Sequence, residues 1–164
     1  MIPNWYILYT KSKSEKVVFK ELIMQEYDVF LPTIEEIRIW KNRQKKIIEK
    51  VLFPSYLFVK TYEYKLPEII QTRNVVTYVN CCGKPSVVSD TDIQNIKKMI
   101  GTKQDVSASS EFFVGQKVRV TSGALAGNKG ILINQKGKTR FGIKINDINQ
   151  VVSIEVDESI LQKL

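Results

Sequence analysis

Few side chains in this sequence suit acid–base, nucleophilic or metal chemistry. The chain has 164 residues and no histidine, which is the commonest general acid or base in enzymes. Its two cysteines, Cys81 and Cys82, are adjacent, a spacing that favours two reduced thiols in a cytosolic protein over a disulfide or a zinc site. Glu35 and Glu36 have the pattern of solvated charges, and a phosphate-binding GxxxxGK(S/T) loop is missing. The sequence therefore predicts a protein that is not an enzyme and needs no cofactor or metal.

Basic side chains are better candidates for function, as binding groups. The net charge is +8. Residues 1–106 contain 17 Lys and Arg against 12 Asp and Glu, and residues 107–164 contain 8 against 5. This excess favours a polyanionic partner, although solubility alone is a second explanation. No run of about 18 apolar residues is present, so the sequence predicts no membrane contact.

The elements that must position these side chains differ between the two halves. In residues 1–106, strands are predicted at 5–10, 29–31, 55–60 and 75–80, with a charged hairpin between the second and third. A capping box of Ser12 and Glu15 starts the first helix, a short helix covers 67–72, and Ser89 with Asp92 caps the last helix. This order predicts an α+β sandwich with helices on one face of an antiparallel sheet.

The second half carries only strand and turn signals. After a linker over 107–112 that begins with Ser-Ala-Ser-Ser, branched and aromatic residues recur with period two in residues 113–164. The pairs and triplets are Val118 and Val120; Ile131 and Ile133; Phe141, Ile143 and Ile145; Val152, Ile154 and Val156. Strands this short in about 50 residues predict an SH3-like β-barrel and not a helical hairpin.

Four segments carry a family resemblance. GQKVRVTSGALAGNKGIL at 115–132 is a strand, a glycine-rich turn and a second strand, and it resembles the KOW motif of NusG-type factors and several ribosomal proteins. WYILYTKSKSEK at 5–16, PTIEE at 32–36 and FPSYLFVK at 53–60 resemble the NusG N-terminal domain in the family's order. The chain therefore resembles the NusG family over almost its whole length. The resemblance implies a NusG-type α/β sandwich in residues 1–106, followed by a KOW β-barrel in residues 113–164.

The resemblance implies that the first domain binds RNA polymerase. In the family, an apolar depression on this domain grips the clamp helices of the largest polymerase subunit and keeps the clamp closed. Tyr9, Tyr56 and Phe58 match positions that line the depression. Aromatic side chains suit this role because they bury large areas at interfaces. Strand alternation leaves open a second interpretation, in which some of these rings fill the core.

Basic residues are implied to contact DNA. In the family, residues around Lys11, Lys13, Lys16 and Arg73 face upstream or non-template DNA, and phosphate contacts of this kind depend on salt but not on sequence. The predicted hairpin adds further cations, for which DNA contact and a solvated surface both stay open: Arg38, Lys41, Arg43, Lys45, Lys46 and Lys50.

The second domain is implied to recruit a protein. In the family, its partner is ribosomal protein S10 or the termination factor Rho, and Leu125 lies where the KOW loop often exposes an apolar side chain, with core packing as the alternative. Two departures favour a specialised antitermination factor, similar to RfaH and the capsule-locus antiterminators, over a general NusG. Ser55 replaces the glycine usual in FPGY, and Ala124–Leu125 replaces the usual Pro-Phe.

These inferences predict a cytoplasmic monomer that increases the processivity of RNA polymerase on a specific long operon. A general housekeeping NusG is the first alternative. An RNA-binding, ribosome-associated KOW protein that acts without polymerase is the second, and it requires strong RNA binding by a barrel region whose net charge is only +3.

Overall fold

The first half of the chain folds into an antiparallel sheet with helices. A computed structural model describes residues 1–102, 104–110 and 115–164. The elements of the first half are β1 Asn4–Thr10, α1 Glu15–Met24, β2 Asp28–Phe30, β3 Thr33–Ile39, β4 Lys45–Val51, β5 Tyr56–Thr61, α2 Leu66–Ile69, β6 Val75–Tyr78, β7 Asn80–Cys81, β8 Lys84–Pro85, β9 Val87–Val88 and α3 Asp90–Gly101. The main sheet has the order β2-β5-β1-β6, with β9 also pairing with β1. The β3–β4 and β7–β8 pairs form separate hairpins.

The helices cover both faces of this sheet, so the prediction of helices on one face is wrong. Trp5 and Ile7 of β1 share one buried cluster with Ile93 and Ile96 of α3. The alternate residues of β1 and β5 share another cluster with α1 and α2: Tyr6, Leu8, Leu57, Val59, Val18, Leu22, Leu66 and Ile69. The physical reason is that β1 is apolar at four successive positions, 5–8, and both of its faces must therefore be buried.

One of the two predicted helix caps is confirmed. The Ser89 hydroxyl accepts a hydrogen bond from the Asp92 backbone N–H at 3.0 Å and starts α3 as predicted. The capping box of Ser12 and Glu15 is wrong, because α1 begins one residue after Ser14 and the Glu15 side chain binds elsewhere. In the described part of the chain, no helix has the length and hydropathy needed to cross a bilayer.

The described residues of the second half form strands and short 3-10 turns, as predicted. The strands are β10 Val106–Ser109, β11 Lys117–Val120, β12 Lys129–Gln135, β13 Lys138–Ile145, β14 Gln150–Glu155 and β15 Leu161–Lys163. They pair in the order β10-β14-β13-β12-β11-β15. Among the described residues these pairings form an open path, so the closed, SH3-like KOW barrel stays a prediction. A helical hairpin is not what residues 115–164 form.

The start of the predicted linker is a strand. Residues 107–109 belong to β10 and pair with β14, for example Ala108 with Val152, whereas residues 111–112 lie outside the described part of the chain. The reason is the buried guanidinium of Arg140, which donates to Asp105 Oδ2 at 3.0 Å, to the Asp105 carbonyl at 2.7 Å and to Ser107 Oγ at 3.0 Å. These bonds hold a polar strand that the hydrophobic pattern does not reveal. The division of the chain into domains at 106 and 113 stays a prediction.

Candidate functional site

Two tyrosines meet at the surface of the main sheet. Tyr9 of β1 and Tyr56 of β5 are directly paired across the strands, and their ring centroids lie 5.4 Å apart at an interplanar angle of 49°. The Tyr9 side chain is 39% exposed and Tyr56 is half-buried. The structure thus brings together two of the three predicted polymerase-binding residues, and it leaves ring surface available for a partner.

The third predicted residue, Phe58, has no exposed surface. It packs edge-to-face on Phe53 with ring centroids 5.8 Å apart, and it stacks on Phe30 at 6.1 Å. Phe58 shares a sheet face with Tyr56, as alternation requires, and it belongs to the buried cluster that also contains Ile93 and Ile96 of α3. Its prediction as a contact residue is therefore corrected: in this structure Phe58 belongs to the buried core next to the tyrosine pair, on the same face of the sheet.

The turn that presents Tyr56 depends on Ser55 and Glu15, for which the sequence predicts other roles. Ser55 has a left-handed backbone with φ of 69°, the conformation that glycine adopts most easily. The buried Glu15 carboxylate accepts a hydrogen bond from the Ser55 backbone N–H at 2.7 Å. The Ser55 carbonyl accepts from the Thr10 N–H at 2.8 Å. Both ends of this one peptide segment are thereby fixed against β1 and α1. The sequence signal for this left-handed turn was position 55 itself, where serine replaces the glycine usual in the family.

A charged cluster fastens α3 to the same sheet. Asp90 Oδ1 accepts hydrogen bonds from Lys60 Nζ at 2.8 Å and from Trp5 Nε1 at 2.9 Å. These two bonds lower the pKa of the Asp90 carboxyl below its usual value. Lys97 Nζ lies 5.4 Å from the Trp5 ring centroid and 5.0 Å from that of Phe30. The cluster holds α3, whose Ile93 and Ile96 share the buried cluster of Phe58.

Two of the predicted DNA-binding residues are brought together by the backbone. Lys11 and Arg73 are both exposed, and the Lys11 N–H donates to the carbonyl of Asn74, the residue after Arg73, at 3.0 Å. Lys13 is exposed in the same β1–α1 connection, with a left-handed φ of 60°. These three cations therefore come from two connections that meet at the end of β1, and they form an arrangement that suits phosphate contacts.

The fourth predicted DNA-binding residue points to the β3–β4 hairpin instead. Lys16 Nζ donates to the Glu49 carbonyl at 3.1 Å and lies 3.7 Å from the Glu49 carboxylate. Both side chains are about half exposed, so this ion pair is weak and its contribution to stability is small. It nevertheless directs Lys16 away from the cations of the β1–α1 connection.

The predicted partner contact of the second half, Leu125, is buried. Its side chain is 5% exposed and belongs to the same core cluster as Val120. The loop is a compact turn in which the Gly127 N–H donates to the Val120 carbonyl at 2.7 Å. This turn folds Leu125 inward and leaves Ala124 and Ala126 outside. The prediction of an exposed apolar side chain at Leu125 is therefore corrected.

Comparison with known proteins identifies the class. The family model described as "Transcription termination factor nusG" matches residues 3–97. The transcription termination/antitermination protein NusG of Helicobacter pylori is 28% identical over 134 residues, covering 75% of this chain and 76% of that protein. The protein of the same name from Thermus thermophilus is 26% identical, covering 95% of this chain and 96% of its own length. The chain is thus a NusG-like transcription termination/antitermination factor.

A solved structure agrees with this class at the level of the fold. The Thermotoga maritima NusG structure reported for its domain interaction has a TM-score of 0.53 and 22% identity, and it covers 99% of this chain and 97% of its own. The family match spans more than half of the 164 residues. The chain belongs to the NusG family.

Proposed function

We propose that this protein is a transcription elongation and antitermination factor that binds the clamp helices of RNA polymerase and increases its processivity. The observation that carries the proposal is the partly exposed pair of Tyr9 and Tyr56 on the sheet of a NusG-family domain. Two adjacent aromatic rings on a rigid sheet provide a large contact area at a small entropic cost. Phe58, two residues along the same strand and face, anchors β5 in the core by packing on Phe53 and Phe30.

The DNA contact in this proposal is made by Lys11, Lys13 and Arg73. All three are exposed and come from connections that join at Lys11 and Asn74. They approach upstream or non-template DNA next to the bound clamp, with binding that weakens as salt rises. Lys16 has a secondary role, because the ion pair with Glu49 competes with phosphate.

A specialised antitermination role on a long operon is favoured over a general one by the second half of the chain. In the predicted KOW barrel, the loop at 121–127 exposes small residues and buries Leu125. The loop therefore offers little apolar surface to Rho, which favours ribosomal protein S10 or no partner at this domain. A general housekeeping NusG is the alternative, and it requires Rho to bind a surface that does not include Leu125.

The first experiment is capture of core RNA polymerase by the full chain. Truncation of a hot-spot aromatic residue costs about 2 kcal/mol or more, so we expect Tyr9→Ala/Tyr56→Ala to weaken binding by at least about 30-fold. Tyr64→Ala is the matched control, since Tyr64 is 65% exposed but lies outside the pair, and it should bind like the unaltered protein. Circular dichroism and thermal melting establish that each variant is folded.

Three outcomes contradict parts of the proposal. If the double variant and the control capture polymerase equally well, the polymerase-binding site does not include the tyrosine pair. Failure of the folded, unaltered chain to capture polymerase, together with tight binding to ribosomal RNA, supports the ribosome-associated alternative. Transcription on a Rho-dependent template separates the two polymerase-binding roles: read-through is expected here, whereas increased Rho termination identifies a general factor.

A further inference from the structure

An exposed tryptophan is fixed in place at the tip of the β3–β4 hairpin. We define the tip as residues 40–46. The Trp40 N–H donates to the Gln44 carbonyl at 2.9 Å, and the Arg43 N–H donates to the Trp40 carbonyl at 2.9 Å. The Asn42 side chain accepts from the Gln44 N–H at 3.1 Å. The turn is therefore closed by hydrogen bonds, yet the Trp40 side chain at its base is 56% exposed. Trp is rarely left this exposed without a partner, because indole offers a large apolar area.

The tip is strongly cationic. It carries Lys41, Arg43, Lys45 and Lys46, and residues 37–48 contain no carboxylate. The hairpin's ion pairs lie further down, where Glu36 meets Arg38 at 3.7 Å and Lys50 at 3.8 Å, and where Glu49 meets Lys16. Glu36 and Glu49 therefore engage cations below the tip, and the tip itself contains no carboxylate. The charge at the tip complements a polyanion and opposes a basic or apolar partner.

The ring and the charges lie within reach of one ligand. Lys46 Nζ lies 5.9 Å from the centroid of the Trp40 ring. A shallow depression beside the ring is lined by Trp40, Asn42, Gln44, Lys45 and Lys46. It thus offers a flat aromatic face, two side-chain amides that can hydrogen-bond to base edges, and two amines for phosphate. A planar base attached to a phosphate backbone matches this combination, whereas a base inside a duplex cannot reach the ring.

We propose that the hairpin tip binds single-stranded nucleic acid by stacking one unpaired base on Trp40, while Lys45 and Lys46 contact the flanking phosphates. The contact is separate from the polymerase and DNA surfaces proposed above, which use Tyr9, Tyr56 and the end of β1. It is sequence-tolerant, because every base has a π-face, and it selects unpaired strands over duplex. A failure of polymerase binding leaves this proposal intact, since the isolated chain is sufficient to test it.

The test is fluorescence anisotropy of the full chain with a labelled 12-nucleotide single strand, made once as DNA and once as RNA, and with the matching DNA duplex. Loss of one stacked base weakens binding by about 5- to 150-fold, so Trp40→Ala should show a loss in this range on the single strand. Trp40→Phe should recover part of it. Tyr64→Ala, another exposed aromatic truncation, is the control and should change nothing.

Salt dependence separates stacking from charge. Trp40→Ala should leave the slope of log K against log salt unchanged, whereas Lys45→Gln/Lys46→Gln should reduce its magnitude by about 1.4 for a single strand. Direct stacking also predicts quenching of Trp40 emission, with buried Trp5 as a constant background.

Several results overturn the proposal. If Trp40→Ala does not affect single-strand binding, or if the duplex binds equally well, the tip is only a general electrostatic surface. Binding of an acidic protein segment with the same Trp40 dependence, and no strand binding, assigns the tip to a protein partner. A concentration-dependent doubling of mass that Trp40→Ala abolishes assigns it to a second copy of this chain.

Discussion

Ser55→Gly should stabilise the protein, because Ser55 occupies a backbone conformation that suits glycine. Its φ is 69°, and a left-handed L-residue costs about 1–2 kcal/mol. Glycine removes this cost, but it also loses more conformational entropy on folding than serine, which reduces the gain by about 0.5–1 kcal/mol. The expected gain in the free energy of unfolding is therefore about 0.5–1 kcal/mol. For a chain of this size the melting temperature should rise by about 1–4 °C.

Ser14→Gly is the matched control for this measurement. Ser14 precedes α1 with φ of −105° and makes no side-chain capping bond, so glycine there relieves no strain. A change of only a few tenths of a kcal/mol, towards lower stability, is expected. Melting by circular dichroism and urea titration measures both variants. Polymerase capture by Ser55→Gly should be unchanged, because neither tyrosine of the pair is altered.

Glu15→Gln separates the backbone strain at Ser55 from the hydrogen bond that supports it. Glutamine keeps an acceptor for the Ser55 N–H but removes its charge, which should cost about 1 kcal/mol. The effects of Glu15→Gln and Ser55→Gly should add, because glycine keeps the N–H. A lower melting temperature for Ser55→Gly than for the Ser14 control refutes the reasoning, since the left-handed turn would then not be a source of strain.

Three further substitutions test other parts of the structure. Hydrogen bonds from Lys60 and Trp5 lower the pKa of Asp90 in the folded protein. The stability from this cluster is therefore present above the unfolded pKa of about 3.9 and is lost as pH falls through the lower, folded pKa. Asp90→Asn should make the melting temperature depend less on pH across about pH 2–5. Gly130→Ala should cost about 1–3 kcal/mol in urea titration, because its Cβ would lie 2.5 Å from the Phe141 ring. Arg140→Ala should cost about 3 kcal/mol and speed hydrogen exchange in β10, and unchanged exchange there contradicts the anchoring role.

The sequence predicts local features of this fold well and non-local ones poorly. Ser89 and Asp92 lie three residues apart, so the cap of α3 is visible in the pattern, and the alternation of the β11–β14 strands is equally local. The Glu15 side chain accepts a hydrogen bond from the Ser55 N–H, 40 residues away in sequence, and does not take part in the local capping box that Ser12 and Glu15 predict. The same limit applies to β10, whose Ser107 is held by Arg140 from 33 residues away.

For the candidate site, sequence predicts which residues share a face but not which are exposed. Alternation places Tyr56 and Phe58 on one side of β5. Phe58 is buried by packing on Phe53 and Phe30 within a cluster that includes residues of α3, and no local pattern in β5 encodes these contacts. Leu125 illustrates the same difficulty, because a glycine-rich turn can direct an apolar side chain either outward or into the core.

The position of β10 has a consequence for dissecting this protein into fragments. β14 is rich in branched residues, and β10 covers its outer hydrogen-bonding edge from Val106 to Ser109. A fragment that begins at residue 113, where the sequence suggests a domain start, leaves this edge uncovered as a template for intermolecular pairing. A fragment that begins at residue 104 keeps the edge covered and retains the Asp105 partner of Arg140. Size-exclusion chromatography should find the shorter fragment aggregated and the longer one monomeric, because β10, three of whose four residues fall in the predicted linker, blocks self-association.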